Sequence, residues 1–202
     1  MKNTLVILGA GGHAKVCHEI AEKMNKWSNI IFLDDNLSNQ SFKITGPISD
    51  YKNYKESDFF VGIGSNKVRK KIFEMLEKEH LTIVTLIHPH TTISRTVNIG
   101  IGTVIMPGVI LNASTLIGKA NILNTACTVD HDNVIGDFVH ISPGSNLSGE
   151  VKVGELSWIG MGSSVINKIE ITRNVTLGAG STVVKNIITE GTYVGTPVRR
   201  IG

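Results

Sequence analysis

The sequence predicts a protein of two domains: a small parallel α/β sheet over residues 1–88, followed by a parallel β-helix built from hexapeptide repeats over residues 89–202. Two observations predict this architecture. In the first part, short apolar runs alternate with segments that have the spacing of an amphipathic helix. From Ile93 onward, an aliphatic residue recurs at every sixth position without a break in register, and a fixed short period is the signature of a solenoid.

The elements of the first domain follow from these patterns in chain order. Apolar runs predict β-strands over residues 4–9, 29–35, 58–64 and 82–88. Helical spacing predicts helices over residues 13–24 and 66–79. The alternation of strands and helices favours a parallel sheet. The basic run VRKK at residues 68–71 is interpreted as the solvated side of the second helix.

The hexapeptide period defines the second domain. The first residue of each repeat is Ile, Leu or Val at all 16 positions, namely Ile93, Ile99, Ile105, Leu111, Ile117, Leu123, Val129, Ile135, Ile141, Leu147, Val153, Ile159, Val165, Ile171, Leu177 and Val183. The fifth residue is mostly small or β-branched. Each repeat should therefore supply one short strand and one tight turn, with its first and fifth residues inside.

Glycine often follows the aliphatic residue, as at Gly100, Gly118 and Gly136. We expect these glycines to permit unusual turn dihedral angles. Three repeats should close one triangular coil, so residues 18 apart should stack on one another. Cys127 falls on an interior position and is interpreted as core packing.

Composition restricts the classes of function. A hydrophobic fraction of 41% and a charged fraction of 18% are ordinary for a soluble globular protein. A net charge of +3 does not indicate nucleic-acid binding. The two cysteines imply no disulfide framework, and no run approaches the ~20 apolar residues that a membrane span needs. We therefore expect a cytoplasmic protein without nucleic-acid or membrane partners.

The polar cluster TVDHDNV at residues 128–134 is the strongest candidate for a catalytic site. His131 lies in a turn beside Asp132, which can orient its ring, and a histidine with a carboxylate partner suits a general base near neutral pH. Gly149 lies one coil above His131 and offers a backbone N–H as an oxyanion donor. Together they fit acyl transfer from a thioester without a nucleophilic serine or cysteine. The alternative is a solvated turn that carries polar residues.

The first domain carries a glycine-rich turn, GAGGHA, at residues 9–14. It follows a strand and precedes a helix, as in Rossmann-like folds, where the helix N-terminus receives a phosphate. Gly11, Gly12 and His13 are therefore candidate ligand-binding residues. Further candidates are Asp34 and Asp35, which end the second strand, and Asn66, which follows the third. The domain is too small for a full dinucleotide fold, and the glycines could serve tight turns alone.

The chain resembles the NeuD/PglD-type sugar acyltransferases. The resemblance rests on the hexapeptide run and on the segments ILGAGGHAKV (7–16), LNTACTVDHDNVIGDFVHISPG (123–144) and GTYVGTPVRRIG (191–202). It implies a left-handed β-helix, a homotrimer with sites between neighbouring prisms, and acetyl-CoA as co-substrate without a metal. It also implies that the N-terminal domain holds the nucleotide of a nucleotide-linked sugar.

The resemblance further implies roles for individual residues. His131 is the base, and the following acid, often Glu in the family, is Asp132 here, one methylene shorter. Asn124 is expected to contact the sugar. The acetyl-CoA groove is expected to include His140, Gly149, Met161, Ala179 and Gly180. The C-terminal tail, with Pro197, Arg199 and Arg200, is expected near the cofactor, although a free basic terminus is the alternative.

The favoured function is an acetyl-CoA-dependent N-acetyltransferase that acts on a UDP- or dTDP-linked 4-amino-4,6-dideoxy sugar, for O-antigen, capsule or other surface glycan synthesis. The alternative within the family is an O-acetyltransferase of a sialic-acid-like or capsule sugar. A metalloenzyme of the γ-carbonic-anhydrase type would need three converging histidine ligands, and no histidine follows His140. A non-catalytic scaffold is disfavoured by the polar cluster opposite Gly149.

Overall fold

A computed structural model describes residues 4–37 and 42–201 of the chain. The chain divides into two compact units, Met1–Pro89 and His90–Gly202. The ends of the two predicted domains, residues 1–3 and Gly202, lie outside the described residues. No helix among the described residues has the length and apolar character that crossing a membrane requires.

The N-terminal unit is a five-stranded parallel sheet with helices, in the strand order β3-β2-β1-β4-β5. Its elements are β1 (Thr4–Leu8), α1 (Gly12–Met24), β2 (Asn29–Leu33), β3 (Ile44–Gly46), a 3₁₀ helix (Ile48–Tyr54), β4 (Asp58–Val61), α2 (Asn66–Lys78), β5 (Thr82–Ile83) and β6 (Leu86–Ile87). Helix α1 buries Ala14, Cys17, Ile20 and Ala21, which share one helical face.

Four features of this unit differ from the prediction. Strand β3 and the 3₁₀ helix were not predicted. Elements of three and seven residues are too short to show a clear hydrophobic period in the sequence. The predicted strand 82–88 is two short strands. Arg69, interpreted as solvated, is 1% exposed, whereas the apolar Val68 beside it is 44% exposed.

The second unit is a three-sided parallel β-helix. Its strands are β7 (Thr92–Ile93), β8 (Asn98–Ile99), β9 (Val104–Ile105), β10 (Ile110–Leu111), β11 (Leu116–Ile117), β12 (Ile122–Leu123), β13 (Thr128–Val129), β14 (Val134–Ile135), β15 (His140–Ile141), β16 (Asn146–Leu147), β17 (Lys152–Val153), β18 (Trp158–Ile159), β19 (Ser164–Val165), β20 (Glu170–Ile171), β21 (Val175–Leu177), β22 (Thr182–Val183), β23 (Gly191–Val194) and β24 (Arg199–Ile201).

Residues 18 apart pair in parallel register, as Ile110 with Thr128 and Leu116 with Val134. The first face consists of β7, β10, β13, β16, β19 and β22, and the second of β8, β11, β14, β17 and β20. The third face contains β9, β12, β15, β18 and β21, and β23 and β24 continue it. We call the corner between the first and second faces edge one, the next corner edge two, and the corner between the third and first faces edge three.

The interior follows the hexapeptide period. From Thr103 onward, the first and fifth residues of the repeats are buried. Polar fifth residues from Thr103 to Ser163 donate to a backbone carbonyl 15 residues later in the chain, as Thr103 Oγ1 does to Gly118 and Ser145 Oγ to Gly160. Cys127 is buried as predicted, and burial raises the pKa of its thiol to about 12. The period breaks in the last coil, where Ile187 pairs with Ile171, only 16 residues away.

The predicted reason for the glycines in the second position of the repeats is wrong. Gly100, Gly118 and Gly136 do not have positive φ; a Cβ on any of them would overlap backbone atoms of the next coil. The left-handed residue is the fourth of the repeat, with φ of 61° at Ser114, 57° at Asp132 and 60° at Glu150. Second-position glycines therefore permit close stacking of coils.

Candidate active site

His131 lies at edge one, in the turn between β13 and β14. Its Nδ1 lies 2.8 Å from Asp132 Oδ2. A carboxylate only accepts hydrogen bonds, so Nδ1 carries the proton and Nε2 of the neutral ring keeps a free lone pair. His131 and Asp132 are 53% and 56% exposed. The predicted pair is therefore formed, and its basic nitrogen faces away from the carboxylate.

Gly149 lies directly against this ring. A Cβ built on Gly149 would stand 2.6 Å from both Cε1 and Nε2 of His131, which is closer than real Cβ atoms approach other atoms. The Glu150 N–H donates to the His131 carbonyl at 3.0 Å, which fastens the two turns together. Within residues 4–37 and 42–201, the Gly149 N–H donates to no backbone carbonyl. The lack of a side chain at Gly149 thus allows the imidazole to lie against this turn.

Acidic neighbours act on the His131 ring. Its pKa is raised, mainly by the hydrogen bond that Nδ1 donates to Asp132 and further by the charges of Asp130, Asp132 and Glu150, while desolvation acts in the opposite direction. Asp130 stabilises the turn, because its Oδ1 accepts hydrogen bonds from Asn112 Nδ2 and from the His131 N–H, each at 2.9 Å. The Asn112 contact is the main reason that the pKa of Asp130 is lowered.

His140 lies on the third face, in β15. Its ring stacks on that of Trp158, with centroids 5.4 Å apart and planes 8° from parallel. Its Nε2 lies 3.0 Å from Asn124 Nδ2. Since Asn124 Oδ1 accepts from the Thr125 N–H at 2.8 Å, the amide nitrogen faces the ring and His140 Nε2 accepts. Asn124, predicted to contact the sugar, therefore holds His140.

An apolar groove of about 430 Å³ runs along the third face and edge three. Its walls include the predicted residues His140, Met161 and Ala179, together with Trp158 and Thr176. Met161 is 60% exposed and Trp158 is 49% exposed. Trp158 was not predicted as a site residue, although a tryptophan at an outward position of a repeat is a signal for one. Gly180, with φ of 68°, lies just beyond Ala179 at the same edge.

One chain does not bring all the predicted residues of the β-helix together. His131, Asp132 and Gly149 lie at edge one, whereas His140, Met161, Ala179 and Gly180 lie on the third face and edge three. The first face separates the two groups. The expectation that Gly149 lines the same groove as Met161 is therefore not met within one chain.

The C-terminal tail extends the third face. Strand β23 pairs in parallel with β21, and β24 folds back antiparallel on β23. Arg200 is paired with Tyr193 in this ladder, so the basic residues do not form a loose terminus. Arg199 and Arg200 are exposed on the strand that ends the face.

The glycine turn of the N-terminal unit lies at the carboxyl ends of β1 and β2. Gly9 has φ of 99°, and a Cβ there would lie 2.7 Å from Ile63 Cγ1. Gly11 and Gly12 are different, because a Cβ on either would meet no atom within 4 Å. The fold therefore requires glycine at position 9, whereas the described residues give no packing reason for glycine at 11 and 12.

The two predicted acids at the end of β2 have different surroundings. Asp34 Oδ2 accepts from the Ala10 N–H at 2.6 Å, and its Oδ1 accepts from the Asn36 N–H at 2.8 Å. Asp34 therefore faces the glycine turn. Asp35 instead accepts from the Ile48 N–H at 3.0 Å, at the start of the 3₁₀ helix.

His13 and Asn66 belong to a partly buried polar cluster around Arg69. Arg69 donates to the carbonyls of Ile63 and Gly64 at 3.2 and 3.0 Å, and to Asn66 Oδ1 at 2.8 Å. His13 Nε2 lies 3.5 Å from Cys17 Sγ, and burial and the Arg69 charge lower the pKa of His13 to about 4. The His13 ring is thus neutral at pH 7 and adds no positive charge for a phosphate.

Among the described residues, no three His, Cys, Asp or Glu side chains converge in a way that could hold a metal ion.

Comparison with known proteins identifies relatives of this chain. The family described as PglD N-terminal domain matches residues 4–76. The UDP-N-acetylbacillosamine N-acetyltransferase of Bacillus subtilis (strain 168) is 38% identical over 112 residues, which are 51% of this chain. The alignment spans only 50% of that protein's length.

Two solved structures match almost the whole chain. The acetyltransferase domain of PglB from Neisseria gonorrhoeae FA1090 is 36% identical with a TM-score of 0.95, covering 99% of this chain and 100% of that one. PerB from Caulobacter crescentus, solved with CoA and GDP-perosamine, is 33% identical with a TM-score of 0.94, covering 98% and 97%. The fold class and the resemblance drawn from the sequence are thereby confirmed.

Proposed function

The chain belongs to the NeuD/PglD-type family of sugar acyltransferases, and on that premise we propose that it transfers the acetyl group of acetyl-CoA to the 4-amino group of a UDP- or dTDP-linked 4-amino-4,6-dideoxy sugar. The observation that carries the proposal is the His131–Asp132 pair with the Gly149 backbone against its basic nitrogen. The neighbouring PglB domain was also solved in complex with acetyl coenzyme A, and PerB with CoA and GDP-perosamine.

The reaction proceeds by direct attack on the thioester. The sugar amine attacks the carbonyl carbon, and His131 Nε2 takes the proton that the nitrogen loses. Asp132 stabilises the resulting imidazolium through Nδ1–H. The Gly149 N–H donates to the oxyanion of the tetrahedral intermediate. When the intermediate collapses, the C–S bond breaks, the CoA sulfur takes the proton from His131, and an amide remains on the sugar.

The groove on the third face is the proposed site of the CoA pantetheine arm. Its apolar walls suit the pantetheine arm, which is uncharged and largely aliphatic between its amide groups. His140, fixed by Asn124 and stacked on Trp158, supplies one oriented polar group among them. Met161, Ala179 and Gly180 continue the groove at edge three. The exposed Arg199 and Arg200 lie on the strand that ends this face and offer charge for CoA phosphates.

We propose that the active enzyme is a homotrimer. A thioester bound in one chain's groove lies at a different edge from that chain's His131 and Gly149. A neighbouring prism that presents its edge one to the groove completes the site. Sedimentation at assay concentrations should therefore give a trimer. A monomer that keeps full activity would contradict a site shared between chains.

The N-terminal unit is the proposed nucleotide-binding part. Gly11 and Gly12 leave open space at the N-terminus of α1, where backbone N–H groups and the helix dipole attract a diphosphate. Asp34, hydrogen-bonded to the Ala10 N–H, shapes the same turn. Asp35 follows β2 and Asn66 begins α2 after β4, the two strands that flank β1, at the sheet edge where such folds read ribose and base.

Replacing Gly12 by alanine should raise the KM for the nucleotide sugar about tenfold, a binding loss of about 1.4 kcal/mol. The reason is that a methyl group on the first residue of α1 blocks close approach of the diphosphate, while the fold has room for it. The KM for acetyl-CoA and the free energy of unfolding should stay the same. Steady-state kinetics and denaturant unfolding measure these quantities.

Gly9→Ala is the matched control, since Gly9 has positive φ and no space for a Cβ. It should lower the free energy of unfolding by about 1–3 kcal/mol. If Gly12→Ala also destabilised the protein, Gly12 would be needed for the fold. If it raised only the KM for acetyl-CoA, Gly12 would contribute to binding acetyl-CoA and not the nucleotide sugar.

Release of free thiol from acetyl-CoA tests the proposed function. The acceptors are UDP-, dTDP- and GDP-linked 4-amino-4,6-dideoxy sugars, each beside its 4-hydroxy counterpart. We expect turnover with a UDP- or dTDP-linked amine and none with the hydroxyl counterparts. Turnover with the hydroxyl sugars alone would identify an O-acetyltransferase instead.

A further inference from the structure

Asn133 is a buried side chain directly beneath the turn that carries His131. It is fully buried at the fifth position of its repeat. Its Nδ2 shares its two hydrogens among three backbone carbonyls: Asp130 at 2.7 Å, His131 at 3.2 Å and Ser148 at 3.0 Å. Only the NH₂ end of the amide can face three carbonyl oxygens, so its orientation is fixed.

These bonds set the direction of the proposed oxyanion donor. The Ser148 carbonyl and the Gly149 N–H belong to one planar trans peptide, in which the two groups point in opposite directions. Because Asn133 draws the carbonyl towards the interior of the prism, the Gly149 N–H points outward, to the side where the His131 ring lies. The bonds to Asp130 and His131 hold the other turn from the same interior group.

Residues at the other fifth positions donate to fewer backbone carbonyls. Thr115, one coil below Asn133, donates only to the Asp130 carbonyl, at 2.8 Å, and Val151, one coil above, has no polar side-chain atom. Asn121, at edge two, makes the equivalent pair of bonds to the carbonyls of Gly118 and Gly136, both 2.9 Å. Among the fifth-position side chains within residues 4–37 and 42–201, only Asn133 donates to the carbonyl of the proposed base, which also accepts from the Glu150 N–H.

We propose that Asn133 is a positioning residue for acetyl transfer, whose buried amide holds the His131 turn and the Gly149 N–H in one geometry. This inference rests on the proposed function, in which His131 is the base and Gly149 the oxyanion donor. Asn133 touches neither substrate. A displacement of about 1 Å in such a pair can lower a rate by up to about 10²-fold.

The test compares Asn133→Val, Asn133→Thr and Asn121→Val. Valine and threonine occupy the same interior column one coil above and below Asn133, so both should fold. Asn133→Val should lower kcat about 10–100-fold with little change in either KM. Asn133→Thr, which can keep the bond to the Ser148 carbonyl, should lose less. Asn121→Val removes a buried amide that binds two backbone carbonyls at another edge, together with the bond it accepts from the Val139 N–H, and should keep kcat.

The pKa of His131, followed by NMR titration, supplies a readout that does not depend on turnover. The groups that raise this pKa are Asp132, Asp130 and Glu150. In Asn133→Val a looser turn should weaken the Asp132 contact and move the pKa towards its ordinary value, and Asn121→Val should not change it.

Each outcome decides between the claims. If Asn133→Val keeps the wild-type kcat and the wild-type pKa of His131 while His131→Ala is inactive, Asn133 has no positioning role. The proposed function would still stand. An equal loss of kcat in Asn121→Val would reduce Asn133 to a general structural residue. If the wild type turned over no sugar, the proposed function would fail, and an unchanged His131 pKa in Asn133→Val would overturn the positioning role as well.

Discussion

Replacing His131 by alanine should lower kcat by about 10²–10⁴-fold, the usual contribution of a general base. The side chain is exposed at edge one and leaves the interior aliphatic ladder untouched, so the β-helix should fold normally. Both KM values should change much less than kcat, because proton removal matters mainly in the transition state. Steady-state kinetics with both substrates varied measures this difference.

The pH dependence separates a base from a binding group. His131 acts only when neutral, and its pKa is raised. Activity of the parent enzyme should therefore rise with pH through a midpoint above the ordinary histidine value, and this rise should disappear in His131→Ala. Asp132→Asn should lower kcat less and move the midpoint down. A near-normal kcat in His131→Ala would place the base elsewhere, and His140 would be the next candidate.

Gly149→Ala should lower kcat by about 10²–10³-fold, as the loss of an oxyanion donor does. The new Cβ would stand 2.6 Å from His131 Nε2 and Cε1, so the ring must move from its place against the Gly149 backbone. One substitution thus disturbs the base and the donor together. Stability should change little, because the exposed imidazole can rotate towards solvent.

The double variant His131→Ala/Gly149→Ala gives the control. With the imidazole removed, the alanine methyl has space, so the second substitution should cost much less than it does in the parent. Additive losses of kcat would contradict the direct contact between the ring and Gly149.

The hexapeptide period alone predicted the interior of the β-helix, because a residue that must point inward at every repeat can only be aliphatic or small. It also brought His131 and Gly149 together, since three repeats per coil place residues 131 and 149 in one column. The same arithmetic could not give the reason for the second-position glycines. Stacking of coils, rather than dihedral freedom, requires them at Gly100 and Gly118.

Polar residues inside the fold were the ones the sequence described least well. Arg69 stands in a basic run typical of a solvated helix face, yet it binds the Ile63 and Gly64 carbonyls from within. For Asn133 the sequence predicted only that the side chain points into the β-helix, as the fifth residue of its repeat. In both cases the partners are backbone carbonyls, which have no sequence signature. The division of site residues between edge one and edge three, by contrast, follows from the period, because Met161 and Ala179 are 18 residues apart and neither is a multiple of 18 from His131.

The most direct measurement is the structure of the product formed from acetyl-CoA and a UDP- or dTDP-linked 4-amino-4,6-dideoxy sugar, determined by mass spectrometry and NMR for the parent and for His131→Ala. We expect the parent to add one acetyl group, on the nitrogen at C4, with stoichiometric release of CoA, and the His131→Ala product to form far more slowly. An acetyl group on oxygen, or no product with any nucleotide-linked amino sugar, would contradict the account.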